Sequence, residues 1–535
     1  MAYEAVWSTE NSKLNNVELI KLKRDGLDVI QSIIDKYSKE GYDSVSEDDR
    51  VLLKWAGIYD QKPRDGHFMM RVRINSGIMN TKQARVIAEI SNKYGRGIIK
   101  ITSRGSIQFY WIRLEYLPDI FRQLDVVGLS TFEACGDCPR TIVGNPLTGI
   151  DPHELIDTSN LVKQLNDFFL LNRDFSNLPR KFKMPIYSSV YNPAHKEIND
   201  LSFTPSVKVI DGKEIIGFNV WIGGGLSAKP VMSQQLDVFV RPEEVVKVAA
   251  GIATIFRGSG YRENRQHARL KFLVTDWGVE RFKSELFRLI GEMPTHGEEK
   301  TIAWNGAYFY GVHPQKQEGK SYLGFNIPLG HLSSQEFMEL VEIAETYGDS
   351  KIRTTMSRNI IISGVRSEYA NELLKNQIFE KFSIQPANFI GHMAACTGNE
   401  YCNLALVETR QRARELADYL DKRIKTDLPI RIHIVGCPNS CGQVQIADIG
   451  LRGALLKSDM RTIEVFDIFI GGILGPGAKF NEKMIGRIST DHLDTVILEC
   501  IVAYNKARLP EESFHQLVGR IGASPFQEIV EQYRI

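Results

Sequence analysis

The clearest feature of the chain is a pattern of apolar and polar residues that occurs twice. Apolar and polar residues alternate in "FMMRVRI" from Phe68, as in a β-strand, and an amphipathic helix pattern follows and ends at Tyr94-Gly95. The same order recurs from Tyr322, with a helix pattern that ends at Tyr347-Gly348. Glycine is a common helix stop, and the two Tyr-Gly pairs lie 253 residues apart. The pattern predicts an internal repeat of strand, helix and strand.

The helix starts and the strands that follow also correspond between the two copies. Thr81 is the predicted N-cap of the first helix, and Ser333 or Ser334 that of the second. Each copy is then expected to enter a strand that carries a Ser-Arg dipeptide, at 103–104 and at 357–358. Agreement at both ends of the helix supports a duplication.

A second pair of segments repeats at a similar spacing. "LPRKFKMPI" from Leu178 matches "LPIRIHIVG" from Leu428, and "GFNVWIGGGLSA" from Gly217 matches "VFDIFIGGILGPG" from Val465. We therefore expect two copies of a two-part unit, with strands and helices mixed in an α+β arrangement. Ahead of the first copy, residues 16–41 show the pattern of one or two amphipathic helices.

Composition narrows the class of protein. The chain has 535 residues, which predicts two to four domains, and 66 Lys+Arg against 65 Asp+Glu, which argues against bulk nucleic-acid binding. The first residues lack the pattern of a signal peptide, and no apolar run approaches the ~18 residues that span a bilayer. Seven cysteines are too few for a disulfide-stapled scaffold. We expect a cytoplasmic protein with reduced thiols and no membrane partner.

Four of the seven cysteines fall into two close pairs, Cys396 with Cys402 and Cys437 with Cys441. Four thiolates suit either zinc or an iron–sulfur cluster. The five-residue and three-residue spacers are unusual for zinc, so a cluster is favoured, with structural zinc and unligated thiols as alternatives. Gly398, Gly436 and Gly442 are expected to let the backbone approach the cluster closely. Cys500, in an apolar run, is interpreted as a small core residue.

Together with the two cysteine pairs, ordered motifs along the chain resemble the siroheme-dependent assimilatory sulfite and nitrite reductases. "GHFMMRVRI", "ITSRGSIQ", "VGNPLTGIDPHELIDT", "LPRKFK", "GVHPQKQEG" and "ACTGNEYCNLALVETR" all occur in the order of that family. The resemblance covers nearly the whole chain. It implies one siroheme and one [4Fe–4S] cluster, with the cluster held by Cys396, Cys402, Cys437 and Cys441. It also implies that Cys441 ligates the siroheme iron.

The resemblance also implies a pocket for a small oxyanion. Arg104, Arg140, Lys181 and Lys183 match the catalytic cations of the family. Fixed positive charge stabilises an anion at such a site, and lysine can also pass a proton. Lys181 and Lys183 would share one strand face, whereas Arg180 would face the other way and could hold a siroheme carboxylate. Without the resemblance, "RKFK" would be interpreted as an exposed strand end.

Siroheme carries eight carboxylates, so further basic residues are expected around it. "YRENRQHARLKF" supplies Arg262, Arg265 and Arg269 and resembles a siroheme-binding segment of the family. Without the resemblance, a solvated charged face would be the better interpretation. Cys135 and Cys138 form a C-x2-C just before the pocket, and packing is favoured over a redox role or a covalent side-chain link.

The fold class is therefore expected to be α+β, with the internally duplicated siroheme nitrite/sulfite reductase architecture. Ferredoxin-like half-domains would alternate with two mixed α/β domains that bind siroheme and the cluster. The predicted boundaries are 1–64 for an N-terminal helical extension, 65–130 for the first half-domain, 131–300 for a siroheme- and substrate-binding domain, 301–388 for the second half-domain and 389–535 for a [4Fe–4S]- and siroheme-binding domain.

The resemblance implies a reductase that adds six electrons to sulfite or nitrite. No flavin- or nicotinamide-binding stretch is evident, so the electrons should come from ferredoxin or a similar one-electron donor, or from a separate flavoprotein. "LPRKFK" resembles the sulfite branch of the family, because plant-type nitrite reductases have Lys-Trp-Asn there. The second lysine, Lys183, adds a positive charge that favours the more highly charged anion. Sulfite is therefore the expected substrate and nitrite the alternative. A cluster-only electron carrier and a zinc-stabilised binding module are the competing hypotheses.

Overall fold

The computed structural model describes residue 7, residues 13–191 and 195–300, residues 304 and 306, and residues 308–457 and 461–535. The chain forms two compact units. Unit 1 comprises Met1–Gly225, Val231–Phe325 and Gly330–Lys381, and unit 2 comprises Leu226–Pro230, Asn326–Leu329 and Phe382–Ile535. None of the described helices is long and apolar enough to cross a membrane.

Unit 1 begins with the predicted helical segment. Its helices are α1 (Asn16–Lys23), α2 (Asp28–Ser32), α3 (Ser38–Glu40) and α4 (Glu47–Leu52). A π-helical turn at Ile33–Tyr37 joins α2 to α3. The side chain of Asn15 caps α1 by accepting the amides of Val17 and Glu18 at 3.0 and 3.4 Å. Residues 16–41 therefore form helices, as their apolar pattern predicts.

The first strand–helix–strand repeat forms a small α+β layer. Its elements are β1 (Ile58–Asp60), β2 (Phe68–Val72), β3 (Ile78–Asn80), α5 (Thr81–Tyr94), β4 (Ile98–Ile101), β5 (Ile107–Ile112) and α6 (Leu117–Val126). The N-cap of α5 is Asn80 and not the predicted Thr81, because Asn80 and Gln83 accept each other's backbone amides in a capping box. Arg104 lies in the turn between β4 and β5 and not within a strand.

The middle of the chain adds an antiparallel sheet and four helices. The elements are α7 (Ser159–Phe169), β6 (Leu201–Ile210), β7 (Lys213–Ile222), β8 (Gln234–Val240), α8 (Val245–Ser259), α9 (Leu270–Trp277), α10 (Val279–Ile290) and β9 (Glu298–Glu299). The strand order is β8-β7-β6-β9. Residues 180–183 form no regular strand, and Phe182 makes a single parallel bridge to Pro139 while its ring is fully buried in the core under this sheet.

The second repeat completes unit 1. Its elements are β10 (Gly311–Pro314), β11 (Lys320–Phe325), β12 (His331–Ser333), α11 (Ser334–Tyr347), β13 (Lys351–Thr354), β14 (Ile360–Arg366), α12 (Ala370–Leu373) and α13 (Ile378–Lys381). Ser333 is the N-cap of α11, as predicted, and forms a capping box with Glu336. Arg358 lies in the turn between β13 and β14, again outside a strand.

The two repeats exchange a strand. The sheet orders are β1-β2-β5-β4-β12 and β10-β11-β14-β13-β3, so each sheet takes its last strand from the other repeat. Ile78 pairs with Arg353, and Lys100 pairs with His331, which are equivalent pairings at the 253-residue spacing. Neither half-domain can complete its sheet alone, which explains why both belong to one unit.

Unit 2 contains a mixed sheet flanked by helices. Its elements are α14 (Asn388–His392), β15 (Met393–Ala395), α15 (Arg410–Asp421), β16 (Ile432–Val435), β17 (Ile449–Lys457), β18 (Thr462–Ile470), β19 (Glu482–Lys483), β20 (Ile488–Ser489), α16 (Thr490–Ala507), α17 (Phe514–Ile521) and α18 (Ser524–Tyr533). Strands β15, β16 and β17 are parallel, and the others run antiparallel. Cys500 is fully buried on α16 in the core, as expected.

The structure corrects, by two residues, the predicted match between the segments that begin at Leu178 and at Leu428. The hairpins β6–β7 and β17–β18 end at Ile222 and Ile470, which are 248 residues apart. The amides of Lys183 and Arg431, also 248 apart, donate to Asp200 and Asp448 respectively. The sequence match between the two Leu-Pro pairs implies a spacing of 250, so it places these segments out of register. The matching backbone hydrogen bonds, and not the two Leu-Pro dipeptides, show that Lys183 and Arg431 are equivalent positions.

Candidate functional site

The predicted cluster cysteines lie on two loops at one edge of the unit 2 sheet. Cys396 directly follows β15, and Cys437 lies two residues after β16. These strands are parallel neighbours, so both loops leave the same edge. The amide of Cys396 donates to the carbonyl of Ile434 at 3.0 Å, and the amide of Gly436 lies 3.3 Å from the Cys396 sulfur. The topology therefore brings the two cysteine pairs together.

The four thiols share one electrostatic environment. Burial, and to a lesser extent the neighbouring thiols of Cys441, Cys396 and Cys402, raise the pKa of Cys437 to about 11. Burial likewise raises the pKa of Cys402. Thiolates at these positions therefore require positive charge from a bound metal.

Four cysteine thiols are the donor set of a [4Fe–4S] cluster and also that of a structural zinc site.

The glycines of these loops have a role that the sequence did not show. A Cβ atom on Gly442 would lie 2.9 Å from the carbonyl oxygen of Ile434, and one on Gly398 would lie 2.8 Å from Oγ1 of Thr409. Gly398 also has a φ of +73°. These glycines let the two cysteine loops pack closely against the protein itself.

Arg104 is held at the β4–β5 turn of unit 1. Its Nη1 donates to Oδ1 of Asn199 at 2.9 Å, and its Nη2 donates to the carbonyl of Thr141 at 3.0 Å. Its Nε is buried without a hydrogen-bond partner among the described residues. Burial lowers the pKa of Arg104 to about 9, so the guanidinium remains charged at neutral pH. This side chain has a fixed position and a spare donor.

Arg140 holds the loop that precedes it. Its Nε and Nη2 both donate to the carbonyl of Gly136, at 3.0 and 2.6 Å, and its Nη1 donates to that of Ala134 at 3.1 Å. Arg140 as a whole residue is 8% exposed. Arg140 therefore fixes the backbone around Cys135 in addition to adding charge to this part of unit 1.

Lys183 and Arg269 are organised by one buried carboxylate. Asp200 accepts the Lys183 amide at 2.8 Å and two N–H groups of Arg269 at 2.9 Å each. The side chains of Lys181 and Lys183 are both half-buried. Arg269 is thus engaged with Asp200, and its direct contribution is to the position of the segment that carries Lys183.

The remaining predicted arginines separate into two groups. Arg180 and Arg265 both pair with Asp137, at 3.1 and 2.7 Å. Arg262 does not join them, because it is 4% exposed and pairs with the buried Glu18 of α1. The structure therefore brings Arg180 and Arg265 together and places Arg262 in a neighbouring internal network.

Sequence reasoning missed several charged residues of unit 1. Arg71 and Arg73 lie at alternate positions at the end of β2, and each has a buried Nε without a hydrogen-bond partner in the described structure. Lys54 interacts electrostatically with Arg265 and Asp137. The alternation in "FMMRVRI" was a usable signal, because a strand places Arg71 and Arg73 on one face. Lys54 had no such signal.

Cys135 and Cys138 are both fully buried. The Cys138 thiol donates to the carbonyl of Cys135 at 3.0 Å, and burial raises its pKa well above the usual range. Burial and the adjacent Cys135 thiol raise the pKa of the Tyr59 phenol to about 12. Both thiols lie in the interior of unit 1, and the packing role of the C-x2-C segment stays a prediction.

Taken together, unit 1 offers buried, fixed cations, and unit 2 offers four neighbouring thiols. Unpartnered buried N–H groups on Arg71, Arg73 and Arg104 fit an anionic group, because a buried donor without an acceptor is costly. The thiols fit an iron–sulfur cluster. Fold and donor sets therefore define a redox protein with a cluster and an anionic cofactor or substrate.

Comparison with known proteins narrows this class. The model of the "Nitrite and sulphite reductase 4Fe-4S domain" matches residues 135–292 and 387–534, and that of the "Nitrite/Sulfite reductase ferredoxin-like half domain" matches residues 59–127 and 313–376. The chain belongs to the nitrite and sulfite reductase family. As in that family, its cofactors are siroheme and a [4Fe–4S] cluster, and it is an oxidoreductase. The predicted α+β duplicated architecture is confirmed.

Relatives extend over nearly the whole chain. The ferredoxin–nitrite reductases of Synechococcus elongatus and Leptolyngbya laminosa are 37% and 38% identical, and each match covers 93% of this chain and 98% of the relative. Sulfite reductase [ferredoxin] 2 of Mycolicibacterium paratuberculosis is 34% identical, over 96% of both chains. The solved structure of the Mycobacterium tuberculosis NirA protein has a TM-score of 0.90 and 32% identity, and covers 96% of this chain and 97% of its own.

Proposed function

We propose that this protein reduces nitrite to ammonia with six electrons from ferredoxin. The observation that supports nitrite is the ranking of relatives, since the two ferredoxin–nitrite reductases are more similar to this chain than the sulfite reductase is. The expectation of sulfite as the preferred substrate rested on Lys183 alone, and these relatives favour the alternative. A cytoplasmic location remains a prediction from cysteine usage.

The proposed ligands of the cluster are Cys396, Cys402, Cys437 and Cys441. The support is that the loops after β15 and β16 bring these four thiols into one environment. Cys441 is the exposed member of the set, and we assign it as the thiolate that also reaches the siroheme iron. When bound, the cluster would relay electrons and the siroheme iron would bind the anion.

The chain's own contribution to the reaction is charge, orientation and protons. Arg104 and Arg140 are immobilised guanidiniums that would orient an oxyanion by charge-assisted hydrogen bonds. Lys181 and Lys183 are half-buried ammonium groups that can donate protons as the substrate oxygens leave as water. Arg180 and Arg265 would receive siroheme carboxylates. Arg262 and Arg269 would act through Glu18 and Asp200, with which they pair.

Sulfite is a second candidate substrate because of Lys183. Its backbone is anchored to Asp200, which fixes the start of its side chain. A second ammonium favours an anion that can carry two negative charges, because the Coulomb term at 4 Å is about 4 kcal/mol per unit charge at an effective dielectric of 20, before desolvation. A native Lys183 is therefore compatible with some sulfite reduction beside the main nitrite activity.

The test is kcat/KM for nitrite and for sulfite with reduced ferredoxin. We expect the native enzyme to prefer nitrite, and Lys183→Asn to lower kcat/KM for sulfite about tenfold more than for nitrite, the effect of one charge-assisted hydrogen bond. Lys213→Asn, at an exposed lysine on β7, is the matched control and should leave the ratio unchanged. A native enzyme with the higher kcat/KM for sulfite would overturn the proposal.

A further inference from the structure

A fully buried carboxylate connects two of the proposed siroheme-binding arginines. Asp137 lies between Cys135 and Cys138 and is completely shielded from solvent. Arg265 binds both carboxylate oxygens, with Nη1 at 2.7 Å and Nη2 at 2.9 Å, and Arg180 adds Nη1 at 3.1 Å. Both arginines remain about one-quarter exposed, at 27% for Arg180 and 25% for Arg265. Their inner N–H groups are therefore fixed while their outer surfaces stay accessible.

The outer donors of these arginines remain available. A guanidinium has five N–H donors, of which Asp137 takes one from Arg180 and two from Arg265. The other N–H groups of the two side chains make no hydrogen bond within the described part of the chain. A planar, pre-oriented fork of this kind matches a carboxylate.

A second layer supports Asp137 from the side of α1. The ammonium of Lys21 lies 3.7 Å from Asp137 and 2.6 Å from Glu18, and it donates to the carbonyl of Leu178 at 2.8 Å. Glu18 in turn pairs with Arg262. The N-terminal helix therefore anchors the carboxylate that holds the two arginines.

The local charge balance keeps Asp137 ionised. Burial alone would raise its pKa, but Arg265, Lys21 and Arg180 together hold the pKa well below its usual range. Lys54 adds a fourth cation to this group. With Glu18 and Arg262 included, the network holds two carboxylates and five cations and remains positive, so neutralising charge is not the main effect of Asp137.

We propose that Asp137 is a positioning residue that holds Arg180 and Arg265 in the orientation that receives the carboxylates of siroheme. The inference rests on the proposed assignment of those two arginines to the cofactor. Fixing both side chains before the cofactor binds removes an ordering cost from the binding step.

The direction in which Asp137→Asn changes siroheme affinity distinguishes a positioning role from charge neutralisation. Asp137→Asn removes a negative charge from a site that binds an anionic cofactor, so a purely electrostatic role predicts tighter siroheme binding. A positioning role predicts weaker binding, because both arginines lose their fixed partner. We expect the dissociation constant of siroheme for the apoprotein to rise about tenfold, and the siroheme content of the purified protein to fall. Asp137→Glu, which keeps the charge and can still bridge the arginines, should recover most of the binding.

A matched control tests whether any buried aspartate would give the same result. Asp467 in unit 2 is 2% exposed and pairs with Arg452, Lys483 and Arg487. Asp467→Asn should lower thermal stability without changing siroheme affinity. Siroheme binding that is unchanged or tighter in Asp137→Asn, together with weaker binding in Arg180→Ala, would overturn this inference alone. If Arg180→Ala and Arg265→Ala also bind siroheme normally, the assignment of the arginines falls, and the inference falls with it.

Discussion

The two copies of the [4Fe–4S] domain share a scaffold and differ in where they place their chemistry. In each copy a long β-hairpin ends in a Gly-Gly pair whose amides donate to backbone carbonyls at a buried aspartate, Asp200 in unit 1 and Asp448 in unit 2. That aspartate also pairs with a buried arginine, Arg269 or Arg431. Because these bonds recur 248 residues apart, the two copies have the same backbone arrangement around the aspartate.

The side chains proposed as functional lie at opposite ends of the equivalent parallel segments. In unit 1 the cations Arg140, Lys181 and Lys183 lie at the start of the paired segments 139–143 and 182–186. In unit 2 the thiols follow the ends of β15 and β16. The two copies thus share a hydrogen-bonded frame, and the proposed ligands lie at different ends of it.

Removing one thiol should abolish function. Cys441→Ser is expected to lose the cluster and its coupling to siroheme, because the same thiolate serves both metals in the proposed arrangement. Activity with reduced ferredoxin should fall to background. Iron and acid-labile sulfide analysis, together with the visible spectrum, would measure the cofactors.

Cys500→Ser is the matched control, since Cys500 is fully buried on α16 outside the cysteine loops. It should lower stability while keeping both cofactors. A purified Cys441→Ser protein that retains a full cluster coupled to siroheme would contradict the assignment.

The sequence predicted the scaffold better than the connections between charged groups. Periodicity, Gly stops and repeated letters located α5 and α11 and the duplication, because these signals are local. The strand exchange of β3 and β12 and the convergence of Arg180 and Arg265 on Asp137 depend on contacts between distant residues, and no local pattern encodes them. For the same reason, the sequence match placed Lys183 two residues out of register with its equivalent, Arg431.

Replacing the equivalent aspartate of either copy, Asp200 or Asp448, should destabilise only the unit that contains it. Asp448→Ala leaves Arg431 buried without its partner, so the free energy of unfolding of unit 2 should fall by about 3–5 kcal/mol. Asp200→Ala should do the same to unit 1 through Arg269. All six tryptophans of the chain lie in unit 1, so tryptophan fluorescence reports that unit, whereas far-UV circular dichroism reports both.

The double variant Arg431→Met/Asp448→Leu removes the pair as a whole and should recover most of the stability. Asp448→Ala should shift the denaturant midpoint seen by circular dichroism more than that seen by fluorescence. If Asp448→Ala instead shifted the fluorescence midpoint more than the circular dichroism midpoint, the two aspartates would not have equivalent roles.

The smallest expected effect compares the capping boxes of α5 and α11. Asn80→Ala and Ser333→Ala each remove an N-cap, which should cost about 1 kcal/mol of unfolding free energy at neutral pH. Their partners differ, because Gln83 does not titrate and Glu336 does. Burial opposes ionisation of Glu336, but Lys381 and the Ser333 amide hold its pKa below the usual value of 4.5.

A carboxylate whose pKa is lower in the folded than in the unfolded state stabilises the folded state at a pH above its unfolded-state pKa. That stabilisation is lost as the pH falls through the folded-state pKa. The Ser333 box should therefore weaken below about pH 4.5, whereas the Asn80 box should not. Native protein and both alanine variants, unfolded in urea at pH 7 and at pH 4, would measure this difference. Ser333→Ala should cost less at pH 4 than at pH 7, and Asn80→Ala should cost the same at both. Equal pH dependence in the two variants would show that Glu336 contributes to α11 only through packing.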